Sequence, residues 1–143
     1  MTAPSEDLVE VITPAGTAAS ALKDQRHYAA GYRIGRIVEL SGQTGHRPDL
    51  SLPISLEEEV DQAFQNIAVG LEAAGADWSN VYLLRTYHLV PVGAQAIPRD
   101  SFELVRAAVA AYLAGRPPAW TAVGVAALAE PGMHIEIEAK AAI

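Results

Sequence analysis

Residues 81–90 place the tightest constraint on what this chain can become. The segment is rich in β-formers and carries apolar side chains on both faces. Val81, Leu83, Arg85, Tyr87 and Leu89 share one face; Tyr82, Leu84, Thr86, His88 and Val90 share the other. A strand of this kind needs cover on both sides. Amphipathic helices flank it in the sequence. Ser55 stands three residues before Glu58, a capping-box spacing, and Glu57, Glu58 and Glu59 suit the positive end of a helix dipole. Leu56, Val60, Phe64, Ile67 and Leu71 then recur at helical spacing until Gly75 stops the run. A second helix follows Pro98, with Phe102, Val105, Val109, Tyr112 and Leu113 on one stripe. Gly115 ends it and Pro117-Pro118 prevent its resumption.

The remaining elements are short. Leu8 to Ile12 reads as a strand closed by Thr13-Pro14-Ala15-Gly16. Tyr28–Arg33 and Arg36–Leu40 flank Ile34-Gly35 as a hairpin, residues 44–53 form a loop, and two strands, about 119–127 and 134–142, finish the chain. The last alternates cleanly: Ile135, Ile137, Ala139 and Ala141 face one way; His134, Glu136, Glu138 and Lys140 face the other. This order predicts a single α+β domain over residues 1–143, one mixed sheet with two helices packed on one face. No residues remain for a third layer, so the other face is expected to bury against further copies of the chain.

Composition removes several functions. A net charge of −7, with ten scattered basic residues, argues against nucleic acid as a partner. The absence of cysteine excludes disulfides, thiolate nucleophiles and Cys-based metal sites. No apolar run approaches the roughly 18 residues of a membrane span. Met1 to Asp7 shows neither the basic nor the apolar region of a signal peptide, so a cytoplasmic protein with no membrane partner is expected.

The motifs of common chemistry are also missing. His27, His46, His88 and His134 form no His-x-x-x-His or His-x-His pair, so no metal is expected. Ser41-Gly42 lacks the flanks of a nucleophile elbow, and the glycines make no phosphate cradle, so no cofactor is expected. What remains is a pair of carboxylates, Glu136 and Glu138, two apart on one strand face. On a solvated face they are ordinary surface charges. In a subunit cleft one of them could orient water or exchange a proton.

Four blocks in order and spacing resemble the YjgF/RidA (Rid) family. They are Leu40-Ser41-Gly42-Gln43-Thr44-Gly45; the helix Gln62–Ile67 with Leu71-Glu72-Ala73-Ala74-Gly75-Ala76; Leu84–Leu89; and Pro118–Ala126 with Ile135–Ala139. The resemblance implies a chorismate-mutase-like fold and a homotrimer with small-molecule clefts between subunits. In the family's deaminases that cleft hydrolyses enamines or imines to 2-keto acids and ammonia. It implies Glu136 for handling water and protons, the Gly42 backbone for substrate contact, and Tyr28 as the aromatic that closes the pocket. Some members are labelled ribonucleases, a reading that the acidic charge of this chain does not support.

Three departures stand out. Trp120 occupies the position of the arginine that grips the substrate carboxylate in the deaminases. An indole offers one N–H where a guanidinium offers a charged fork; losing such a contact costs on the order of 2–5 kcal/mol. Arg116 and Arg85 are the candidate replacements, each with a plainer reading as a surface or interface residue. Trp120 itself reads either as a stacking surface for a larger ligand or as interface packing. The usual Asn-x-x-Tyr helix start is replaced by Phe102-Glu103-Leu104-Val105, and the usual Gly-Pro-Tyr by Arg26-His27-Tyr28. The expectation is an imine or enamine deaminase of altered specificity. Its alternatives are a non-catalytic ligand-binding or regulatory trimer, and a pathway enzyme acting on a keto or enol intermediate.

Overall fold

The computed structural model describes residues 8–143. In chain order it contains β1 (Val9–Ile12), α1 (Ala18–Arg26), β2 (Gly31–Ile34), β3 (Ile37–Leu40), α2 (Leu56–Ala73), a 3₁₀ turn (Trp78–Asn80), β4 (Val81–Leu89), α3 (Arg99–Tyr112), β5 (Ala119–Val125) and β6 (Ile135–Ala142). The six strands form one mixed sheet in the order β1-β2-β3-β6-β4-β5. All neighbours are antiparallel except β4 and β5, whose parallel pairing requires the long crossover that α3 supplies. Met1 to Asp7, expected to show no signal peptide, lie outside the described residues.

The two expected helices form where the sequence marks them. Ser55 accepts the Glu58 amide at 3.1 Å, capping α2. Glu58 does not complete a box; its carboxylate turns to Arg47 at 3.5 Å. Gly75 takes the left-handed φ of +79° and ends the helix. Phe64, Ile67 and Leu71 of α2 and Val105 of α3 are fully buried against Leu84 of β4 and Ile135, Ile137, Ala139 and Ala141 of β6. Burial of each large side chain contributes about 1.5–3 kcal/mol. Phe64, Trp78 and Tyr112 stack at 5.0–5.4 Å and close one end of this layer.

Two features correct the sequence reading. A third helix, α1, stands where no helix was expected; Thr17 caps it by accepting the Ser20 amide at 3.2 Å. And Val81 does not share a face with Leu83. A bulge between Val81 and Leu83 turns Val81 into the core, where it is fully buried beside Leu84. The helix-free face carries Glu39, Lys140, Glu138, Arg85, Tyr87 and Val123, with Val9, Val11, Tyr32, Ile34 and Ile37 exposed toward the β1 edge. On this face Lys140 and Glu39 pair at 3.1 Å.

Candidate active site

At the end of the sheet where β3 stops and β6 begins lies a cavity of about 350 Å³. Glu136, Gly42, Ser41 and Thr44 form its floor, Tyr28, Leu22 and Arg26 one wall, and His46, Ala129 and Met133 the other. A second recess of about 330 Å³ shares Gly42, Ala129 and Glu136 and adds Tyr87 and Glu138. Glu136 therefore stands where the two recesses meet.

The chain beyond β3 explains how this carboxylate is held. Gln43 exchanges both backbone hydrogen bonds with Ile137, at 2.7 and 2.9 Å, which clamps the segment after Leu40 alongside β6. That clamp brings Gly42 against Glu136 so closely that a Cβ on Gly42 would lie 2.4 Å from Glu136 Oε1. Any larger residue at position 42 would force the Glu136 carboxylate out of this position. From α2, Asn66 donates to the carbonyls of Thr44 and His46 at 2.8 and 2.9 Å, fixing the loop that follows. Also from α2, the fully buried Glu59 accepts the amides of His134 and Ile135 at 2.8 and 3.0 Å and pairs with the His134 ring. This ties the start of β6 to the helix layer, and Glu136 is set one residue later.

The electrostatics separate the two strand carboxylates. Glu138 accepts a hydrogen bond from the Tyr87 hydroxyl. Burial, followed by repulsion from Glu138, holds the Glu136 carboxyl above the usual carboxylate range. A carboxyl displaced toward neutral pH in a concave site is suited to both accepting and donating a proton. The Tyr28 hydroxyl is pushed up by burial, opposed by Arg26 and reinforced by Glu136, so it stays neutral and can donate.

A polar relay lines the other wall. The buried His46 donates from Nε2 to Glu130 at 2.8 Å, and its Nδ1 accepts from the Thr44 hydroxyl. Burial first, then Arg26, lowers the His46 pKa and keeps the ring neutral. Glu130 also pairs with Arg26, the last residue of α1. Arg26, His46, Thr44 and Glu130 were not singled out as site residues. His46 and Glu130 are 84 positions apart, and only the fold brings them together.

Of the residues named from sequence, Glu136, Gly42 and Tyr28 come together here. Trp120, Arg116 and Arg85 do not. Trp120 pairs in register with Leu84, so its side chain points to the helix side of the sheet. There it stacks on Phe102 at 5.4 Å and 8° and donates from Nε1 to Thr86 Oγ1 at 3.0 Å. Trp120 and Phe102, each read from the sequence as a departure, thus form one contact. Arg116 donates to the carbonyls of Ser79 and Val81 at 3.0 and 3.4 Å, below the aromatic cluster. Arg85 is exposed on the helix-free face, in register with Glu138 and Thr121. None of the three lines the cavity.

No group of three or more His, Asp or Glu suited to a metal ion occurs among the described residues, and no helix among them is long and apolar enough to cross a membrane. The family described as Endoribonuclease L-PSP matches residues 18–143. The chain belongs to this family, the YjgF/Rid family. Its YjgF relatives include the RutC family protein YjgH of Escherichia coli K12, 31% identical over 130 residues, covering 90% of this chain and 92% of that protein. The 2-iminobutanoate/2-iminopropanoate deaminase of Mus musculus is 34% identical over 116 residues, covering 80% of this chain and 79% of the relative. Among solved structures, protein YjgH superposes with a TM-score of 0.79 at 30% identity, covering 95% of this chain and 97% of that one. A RidA from the Antarctic bacterium Psychrobacter gives 0.78 at 27%, covering 94% and 100%. The α+β architecture is that of the YjgF fold.

Proposed function

We propose that this YjgF-family chain binds a small imine or enamine in the cavity at Glu136 and hydrolyses it to a keto compound and ammonia. The observation that carries this reading is Glu136 itself. It is a half-buried carboxyl with a raised pKa, pressed against a glycine at the junction of two recesses. In the reaction, Glu136 takes a proton from water as the water oxygen bonds to the C=N carbon. Glu136 returns that proton to the imine nitrogen to give a carbinolamine, then takes the carbinolamine hydroxyl proton and delivers it to the nitrogen as the C–N bond breaks and C=O forms. Imine and water are consumed, ammonia leaves, and no oxidant or reductant is needed. Tyr28 shapes the pocket and offers a hydroxyl donor. The deaminase relatives at 34% identity support this chemistry class.

The same reading makes the chain a homotrimer, with the helix-free face and its exposed Val9, Val11, Tyr32, Ile34 and Ile37 covered by further copies. Sedimentation should then give three times the protomer mass of 15.1 kDa. The test of function is the rate of keto-acid release from 2-iminobutanoate formed in situ, with and without the protein. A non-catalytic ligand-binding trimer would leave that rate at its spontaneous value while still binding the keto acid.

A further inference from the structure

Trp120 is turned to the helix side of the sheet and carries no charge, so an anionic ligand in the cavity needs another partner. Among the described residues that line it, the single Lys or Arg is Arg26. It ends α1, directly before His27, whose left-handed φ of +57° turns the chain back toward Tyr28. Leu22, one turn earlier and buried, packs the same helix into the cavity wall. The Arg26 guanidinium is thus carried on a seated helix rather than on a loose loop. It reaches to Glu130 in the β5–β6 connection, and their side chains remain 40% and 29% exposed.

We infer that Arg26 is the anion-binding residue of this cavity, taking the carboxylate of a 2-imino acid, and that Glu130 is the internal carboxylate which that ligand replaces. This rests on the function proposed above for the same cavity. Three observations favour the exchange. A partly solvated ion pair is weakly held and readily surrendered to a competing carboxylate. The guanidinium fork matches either carboxylate equally well in geometry. And Glu130 is not stranded by the exchange, because its other oxygen keeps the His46 Nε2–H at 2.8 Å. The cavity also has apolar lining from Leu22, Ala129 and Met133 beside the polar floor. A short aliphatic chain fits there, so the substrate class is a small monoanionic 2-imino acid rather than a dianion, which would meet Glu136 and Glu130 with no second Lys or Arg among the described lining residues.

The test measures binding of two probes to the whole protein by NMR titration: 2-oxobutanoate, the product-like anion, and its neutral methyl ester. Arg26→Gln should weaken 2-oxobutanoate at least tenfold and leave the ester within about twofold, which also shows that the variant remains folded. Arg26→Lys should retain part of the affinity, and Glu130→Gln should tighten the anion several-fold by removing its competitor. Undiminished 2-oxobutanoate binding in Arg26→Gln would overturn the inference. So would equal loss of both probes, no binding of the anion to wild type, or weakened anion binding in Glu130→Gln. Anion binding through Arg26 without imine turnover would refute the deaminase reading alone. Turnover indifferent to Arg26→Gln would refute only the role of Arg26.

Discussion

Replacing Trp120 by arginine should damage this protein. Trp120→Arg removes a face-to-face stack on Phe102 at 5.4 Å and the 3.0 Å hydrogen bond to Thr86. The stack is worth about 0.5–1.5 kcal/mol beyond its buried area, and the hydrogen bond about 0.5–1.5. Placing a guanidinium between α3 and the sheet adds a desolvation cost, so the total is about 2–4 kcal/mol. For a chain of this size that lowers the melting temperature by about 5–15 °C. Differential scanning calorimetry at one fixed protein concentration reads the change, because the proposed trimer would make the transition concentration-dependent. Trp120→Phe keeps the stack and loses only the donor, so it should fall by less than half as much. The arginine variant melting within a degree of wild type would refute the reasoning, because the indole would then not be part of the packed layer.

Three further outcomes follow from the site and its surroundings. Gly42→Ala puts a methyl group 2.4 Å from Glu136 Oε1, and should cut turnover at least tenfold with a far smaller change in melting temperature; unchanged kinetics would show that the carboxylate is free to move aside. Glu138→Gln removes the second cause of the raised Glu136 pKa, so the limb of the kcat/KM profile governed by Glu136 should move to lower pH, and an unmoved limb would contradict the coupling. His88 is fully buried between Thr86 (2.9 Å) and Ser101 (3.1 Å), and burial lowers its pKa below the unfolded value. The unfolded chain then binds more protons below pH about 6.5. Stability should therefore decline as pH falls through that region, and His88→Asn should show a shallower decline in acid melting curves.

Much of this architecture was legible because local signals agreed with the fold. Ser55 caps α2, Gly75 terminates it, and the alternation from Ile135 to Ala141 matches the buried face of β6. The helix α1 was not legible: its stripe offers little beyond Ala18 and Leu22, and its cap at Thr17 follows immediately on a turn signal at Gly16. Strict alternation puts Val81 on the wrong face, because a bulge breaks the period of two and nothing in local composition marks it. Glu136 and Gly42 could be singled out because they sit in blocks that resemble the family's, and Tyr28 by its spacing before Ser41, without the usual motif around it. The wall built from Arg26, His46 and Glu130 depends on contacts between distant segments and came only with the structure. Trp120 shows the limit of reasoning by position: its register against Leu84 decides which way it points.

The most direct measurement is the hydrolysis of 2-iminobutanoate, generated in situ by a dehydratase, with wild type beside Glu136→Gln. Glutamine keeps the size of the side chain beside Gly42 but cannot cycle a proton, and general acid–base groups are worth about 10²–10⁴-fold. The account predicts that wild type releases 2-oxobutanoate well above the spontaneous rate and that Glu136→Gln loses at least a hundredfold of that acceleration while remaining folded. Wild type at the spontaneous rate, or Glu136→Gln as fast as wild type, would contradict it.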